Sequence, residues 1–332
     1  MSSMALLPVI DSTLSPEALS VWVAEHYGFH DVSCRLIKTN ANHTYKVTSA
    51  EGKYVLRIYN YKLCTAAEVC EELKILNILR SNNVSVSYPL AALSGANIAY
   101  VLAPEGSRIA VLFSFAEGRK MRFLTEDISK NIGEMVGQFH QVGRGKTINR
   151  LHYSVEKLAE WSYTEALKLF SAELEEMKLV KEYGKKLHHI FKDISHLRTG
   201  VVHLDIWYDN MSITDNGRIT FFDFDNCGNG WLVLDIGYFC LQLFNTEPDR
   251  ALYERKKAAF IEGYRSVTAV SDEELELIPY AGLAVWVYYL GLQAERFDYF
   301  TNFFLSENYL KVYLGRVRRW LEYNDAGIPE SS

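Results

Sequence analysis

The chain has 332 residues, 48% of them hydrophobic and 23% charged, with a formal net charge of −6. That length and apolar content are enough for one large domain or two lobes, and they exclude a disordered or fibrous chain. The acidic balance excludes a general attraction to nucleic acid or an anionic membrane. The five cysteines lack any C-x-x-C pair, so they read as reduced thiols of a cytoplasmic protein.

In chain order, the N-terminal "MSSMALLPVIDSTLSPEAL" has no basic region, and Pro8 breaks its short apolar run; it does not read as a signal peptide. Ser15 and Pro16 start a helix over residues 15–27 as N-cap and first helical residue. "SCRLIKT", "HTYKVTS" and "KYVLRIYN" place apolar residues at every second position and predict strands, with "SAEGK" turning the last two. Residues 65–81 carry Val69, Leu73, Leu76 and Leu79 on one face and predict an amphipathic helix. "IAYVLAPEGSRIAVLFSFAEG" predicts two further strands turned at "PEGS".

After Gly118 the pattern becomes helical. Thr125 caps the first such stretch, and residues 154–195 and 251–325 hold long helical segments. "VVHLDIW" and "RITFFDF" are the strong strand signals of this half. "YAGLAVWVYYLGL", residues 280–292, is too short to span a bilayer and reads as a buried helix. The layout is α+β and protein-kinase-like: a small antiparallel sheet lobe with one helix, residues 1–114, then a larger, mainly helical lobe, residues 115–332. Such a layout does not by itself fix function.

The chemistry concentrates in "VVHLDIWYDN" and "FFDFDNCGNG". Unpaired buried carboxylates are costly, so several acids in apolar runs need a task. His203-x-Asp205-x-x-x-x-Asn210, followed by Asp223, has the spacing of a kinase catalytic loop and metal-binding aspartate. Asp205 is then the base, Asn210 and Asp223 hold Mg2+, and His203 fixes the loop by hydrogen bonding. The intervening segment reads as a hairpin turning at Asp215-Asn216-Gly217.

These residues resemble the superfamily of aminoglycoside phosphotransferases, choline kinases and homoserine kinases, from about residue 30 to 320. The looser pieces "FHQVGR", "NGWLVLDIG", "FIEGYRSV" and "VWVYYLGL" are most similar to the branch of the bacterial stress-response Ser/Thr kinase and type II homoserine kinase. The resemblance implies an ATP- and Mg2+-dependent phosphotransferase. It implies that Asn42, in "TNANHTYKV", faces the phosphates, and that Arg57 contacts them and pairs with Glu72, with Glu68 one turn earlier as the competing partner. It implies adenine binding around Phe113, Ser114, Phe115 and Ala116, and an Asp235 that braces the catalytic loop. His140 is expected to be structural, packing its helix against that loop. Leu204 and Asp209 stand where relatives often have glycine, Trp207 where the stress-response branch often has His, and Asp225 replaces the glycine of D-F-G.

The expected partner is a small hydroxyl acceptor: an amino alcohol, amino acid, sugar or aminoglycoside-like compound. Ser/Thr of a protein is the alternative, and a low-turnover nucleotide-binding regulator the second. Trp286, Tyr288, Tyr289, Glu295, Arg296 and Tyr299 form either an aromatic wall for an ammonium group or an ordinary helical core.

Overall fold

The computed structural model describes residues 7–39, 42–300 and 304–327, without the side chains of residues 299 and 300. The chain forms two compact units, Met1–Ser81 with Val86–Ala116, and Asn82–Ser85 with Glu117–Ser332.

The first unit begins with α1 (Pro16–Tyr27), whose N-cap Ser15 accepts from the Ala18 N–H at 3.3 Å. Strands β1 (Ser33–Thr39), β2 (Asn42–Ser49), β3 (Gly52–Tyr59), β4 (Ala99–Ala103) and β5 (Gly106–Ser114) form an antiparallel sheet in the order β1-β2-β3-β5-β4. Alternation puts Tyr45, Val47, Leu56, Ile58, Ala110 and Leu112 into one core with Leu19 and Val23 of α1. Helix α2 (Ala66–Ser81) follows β3, so the helices expected over residues 15–27 and 65–81 are both present in this unit. Arg108 is buried and satisfied, donating to the carbonyls of Tyr59 (2.9 Å) and Ser12 (2.8 Å) and to Asn60 Oδ1 (2.8 Å).

The second unit opens with α3 (Glu126–Gly143), capped by Thr125. A π-helix over Glu156–Trp161 runs into α4 (Ser162–Ala166), followed by α5 (Glu175–Phe191). Four short strands come next: β6 (Thr199–Val202), β7 (Met211–Ile213), β8 (Ile219–Phe221) and β9 (Gly228–Trp231). Helices α6 (Val233–Thr246), α7 (Arg250–Val267), α8 (Asp272–Glu276), α9 (Ile278–Glu295), α10 (Phe297–Phe300) and α11 (Glu307–Tyr323) complete it.

The expected hairpin is β7 with β8, and Gly217 turns at φ 79°. β6 instead pairs antiparallel with β9, "GNGW", a segment too rich in glycine to carry a strand signal. Ser85 joins this unit because its carbonyl accepts from the Phe221 N–H at 3.0 Å. Helix α9 is apolar nearly all round and buried, as a core helix should be. Among the described residues no helix is long and apolar enough to cross a membrane.

Candidate active site

In the first unit, β3 and α2 bring Arg57 and Glu72 together. Arg57 Nη1 lies 3.3 Å from Glu72 Oε1, and the Tyr59 hydroxyl donates to Glu72 Oε2 at 3.3 Å. Glu72 is buried, so the pairing is what makes its charge tolerable there. Glu68 accepts from the N–H and hydroxyl of Thr65, both at 2.8 Å, at the start of α2. The Arg57 guanidinium also lies 5.2 Å from the Phe113 ring.

Asn42 is buried at the start of β2; residues 40–41 of its turn are outside the described residues. Ser114 is turned toward residues 87–88. Its N–H donates to the Tyr88 carbonyl (2.8 Å), its carbonyl accepts from Ser87 Oγ (2.6 Å), and its Oγ accepts from the Tyr88 N–H (3.0 Å). Phe115 and Ala116 follow, half-buried, with Lys46 and Lys53 at 5.5 and 5.7 Å from the Phe115 ring.

In the second unit, β6 ends at Val202 and feeds His203, Leu204 and Asp205 into a loop. The side chain of Asp235, near the start of α6, holds that loop. Oδ2 accepts from the His203 N–H (2.9 Å) and Oδ1 from the Leu204 N–H (2.7 Å). The third donor is His140 Nε2 on α3, 3.0 Å from Oδ2, and His140 Nδ1 accepts from the Tyr264 hydroxyl at 2.9 Å. Both His140 and Asp235 are fully buried. Leu204 has φ +64°, a left-handed conformation that costs a non-glycine residue roughly 1–2 kcal/mol. A glycine would take that conformation without the cost.

His203 Nδ1 accepts from the Asp205 N–H (3.3 Å), so Nε2 carries the proton and donates to the Phe222 carbonyl (3.2 Å). Burial lowers the pKa of His203, which keeps the ring neutral in this role. The half-buried Asp205 carboxylate receives Asn210 Nδ2 at 2.6 Å on Oδ2 and the Tyr238 hydroxyl at 3.2 Å on Oδ1. Desolvation, and then the negative charge of Asp223, push its pKa up to about 7, against the hydrogen bonds from Tyr289, Tyr238 and Asn210.

Asp223 follows β8 at φ +66° and caps a short 3-10 turn. Asn210 also donates Nδ2 to the Asp205 carbonyl at 3.1 Å, so its amide oxygen is the atom that could serve as a donor to a cation. Among the described residues no group of three or more His, Cys, Asp or Glu is arranged to hold a metal. Asp223 and Asn210 are hard oxygen donors that suit a cation completing its shell with phosphate and water. The mutual repulsion of Asp205 and Asp223 is the excess charge such a cation relieves.

Sequence reasoning missed several neighbours. Tyr238 lies three residues after Asp235 on the same helix face, a spacing that could have found it. Lys120 Nζ binds Asp209 Oδ1 at 2.7 Å and had no sequence signal. Tyr289, a candidate for wall or core, has a hydroxyl that donates to the Leu204 carbonyl (3.4 Å) and receives Asn226 Nδ2 (3.1 Å). Trp286 packs on Tyr313 at 4.9 Å, and the Tyr299 side chain is outside the described residues.

A model of the phosphotransferase enzyme family matches residues 33–270. The homoserine kinase of Brucella anthropi is 26% identical over 239 residues, 72% of this chain and 71% of its own. An amicoumacin kinase solved in complex with AMP-PNP, Ca2+ and Ami has a TM-score of 0.72 at 20% identity, covering 93% of this chain and 94% of its own. A microcompartment-associated aminopropanol kinase has the same TM-score and identity, covering 94% and 99%. The match spans most of the chain, including both the Arg57–Glu72 pair and the Asp205 loop, and the protein belongs to the phosphotransferase enzyme family.

Proposed function

We propose that the protein transfers the γ-phosphoryl group of ATP to the hydroxyl of a small molecule. The reading rests above all on Asp205: a carboxylate oriented by Asn210 and Tyr238 in a loop pinned by Asp235. Relatives are named for kinase activity toward homoserine, amicoumacin and aminopropanol, which favours a small acceptor over a protein.

In this reading residues 1–114 bind the nucleotide and residues 115–332 carry catalysis and the acceptor. Arg57, held by Glu72 and the Phe113 ring, binds phosphate oxygens, with Asn42 beside them. Phe115 and Ala116 take the adenine. Mg2+ at Asp223 and Asn210 would supply neutralisation of the phosphate charge. Asp205 orients the acceptor hydroxyl and takes its proton at Oδ1, the more loosely bonded of its two oxygens. His203 and Asp235 hold that carboxylate in place, and catalysis is then mainly positioning.

The test is ADP release from Mg·ATP across amino alcohols, hydroxy amino acids, sugars and a generic protein substrate, for the wild type and Asp205→Ala. Acceptor-dependent release that disappears in the variant is expected. Nucleotide binding without turnover on any acceptor would refute the reading in favour of a nucleotide-binding regulator.

A further inference from the structure

The π-helix Glu156–Trp161 is the least regular element of the second unit. π-turns are rare and concentrate at functional sites. This one continues into Ser162, which packs so closely on α9 that a Cβ on Gly291 would lie 2.4 Å from the Ser162 Cα. The π-turn stacks Lys157 on Trp161: the ammonium lies 3.1 Å from that ring's centroid and 6.0 Å from that of Tyr288 on α9. Lys157 is half-buried. Burial lowers its pKa, while the charges of Glu295 and Glu165 favour its charged form. Glu165 is itself bound by Lys168 at 2.6 Å, and among the described residues no carboxylate lies within ion-pair distance of Lys157. Aromatic faces thus hold a partly desolvated cation that lacks a counter-ion.

A contiguous set of contacts joins this cation to the catalytic loop. Tyr288 packs edge-on against Tyr153 at 5.2 Å. The Tyr153 hydroxyl donates to the Asn226 carbonyl at 2.5 Å, and Asn226 donates to the Tyr289 hydroxyl, which in turn donates to the Leu204 carbonyl beside Asp205. The charges around this cluster are mixed: Glu295 and Arg296 both act on Lys157 and on Tyr288, and Arg150 on Tyr153 and Tyr288.

We propose that Lys157 is a specificity residue binding a carboxylate of the acceptor, so that the substrate is a small hydroxy acid rather than a neutral or purely cationic alcohol. This rests on the phosphotransferase reading above and names the substrate class for it.

Homoserine and its carboxamide differ only in that charge and are suitable probes. The affinity of each is measured by calorimetry and the KM of each by ADP release, for wild type, Lys157→Met and Lys157→Arg. Wild type is expected to favour the carboxylate by about ten- to hundredfold, the range for a charge-assisted hydrogen bond. Lys157→Met should bring that ratio to about one, and Lys157→Arg should keep much of it. A ratio near one in wild type, or a ratio undiminished in a folded Lys157→Met, would overturn the proposal. If Lys157→Met does not fold, loss of the ratio in Lys157→Gln replaces it. Failure of the phosphotransferase reading shows separately, as no ADP release with either probe, while calorimetry still reads the carboxylate preference.

Discussion

Asp235→Asn removes one charge while nearly preserving shape. Three donors converge on the wild-type carboxylate: the N–H groups of His203 (2.9 Å) and Leu204 (2.7 Å), and His140 Nε2 (3.0 Å). An amide has a single oxygen. Placed at the Oδ2 position, that oxygen keeps His203 and His140, but the amide nitrogen then faces the Leu204 N–H, donor against donor. Leu204 is fully buried, and an unsatisfied buried donor costs about 1–3 kcal/mol. Losing charge assistance in the other two bonds brings the total to roughly 2–4 kcal/mol. Leu204 then has less holding it at φ +64°, and a relaxing loop carries His203 and Asp205 with it. Misplacement on the order of 1 Å lowers kcat by about a hundredfold. Urea unfolding with a fitted m-value measures the stability loss, and steady-state turnover the rate. A loss below about 0.5 kcal/mol together with unchanged kcat would refute the bracing argument.

Two further outcomes follow from the geometry. Without divalent cations, Asp205 has a folded pKa of about 7 against an ordinary 3.8. Between those values the folded protein retains a proton that the unfolded chain has released, so the group's penalty grows as pH rises through this window and is constant above it. Asp205→Asn should therefore raise the Tm of the metal-free protein more at about pH 8 than at about pH 4, measured by calorimetry; an equal effect at both would refute it. Packing of α3 on α7 depends on reciprocal glycines: a Cβ on Gly133 would lie 1.9 Å from the Phe260 carbonyl oxygen, and one on Gly263 2.0 Å from that of Lys130. Gly133→Ala should cost roughly 3 kcal/mol by overpacking, whereas Gly315→Ala on α11, with nothing within 4 Å, should stabilise by about 0.5–1 kcal/mol. Urea denaturation of the two variants checks the contrast, and similar values would refute it.

Much of this protein is local enough to read from sequence. Period-two alternation determines β1–β3, because a half-buried strand repeats every two residues, and Ser15 and Thr125 mark helix starts because their side chains satisfy the first free N–H groups. The Asp205–Asn210 contact is also local: the loop between them is short, and a tight hairpin then leads to Asp223. What sequence left open depends on long-range packing. The pairing of Arg57 with Glu72 follows from how α2 lies on the sheet. The reach of Asp235 back to His203 follows from β6 pairing with a glycine-rich β9 that has no strand signal. Tyr289 reaches the Leu204 carbonyl only through the packing of its helix against this loop. A linear pattern records the period of an element and the order of its polar groups, but side chains brought together by close-packed helices share no spacing, so only the tertiary structure selects them.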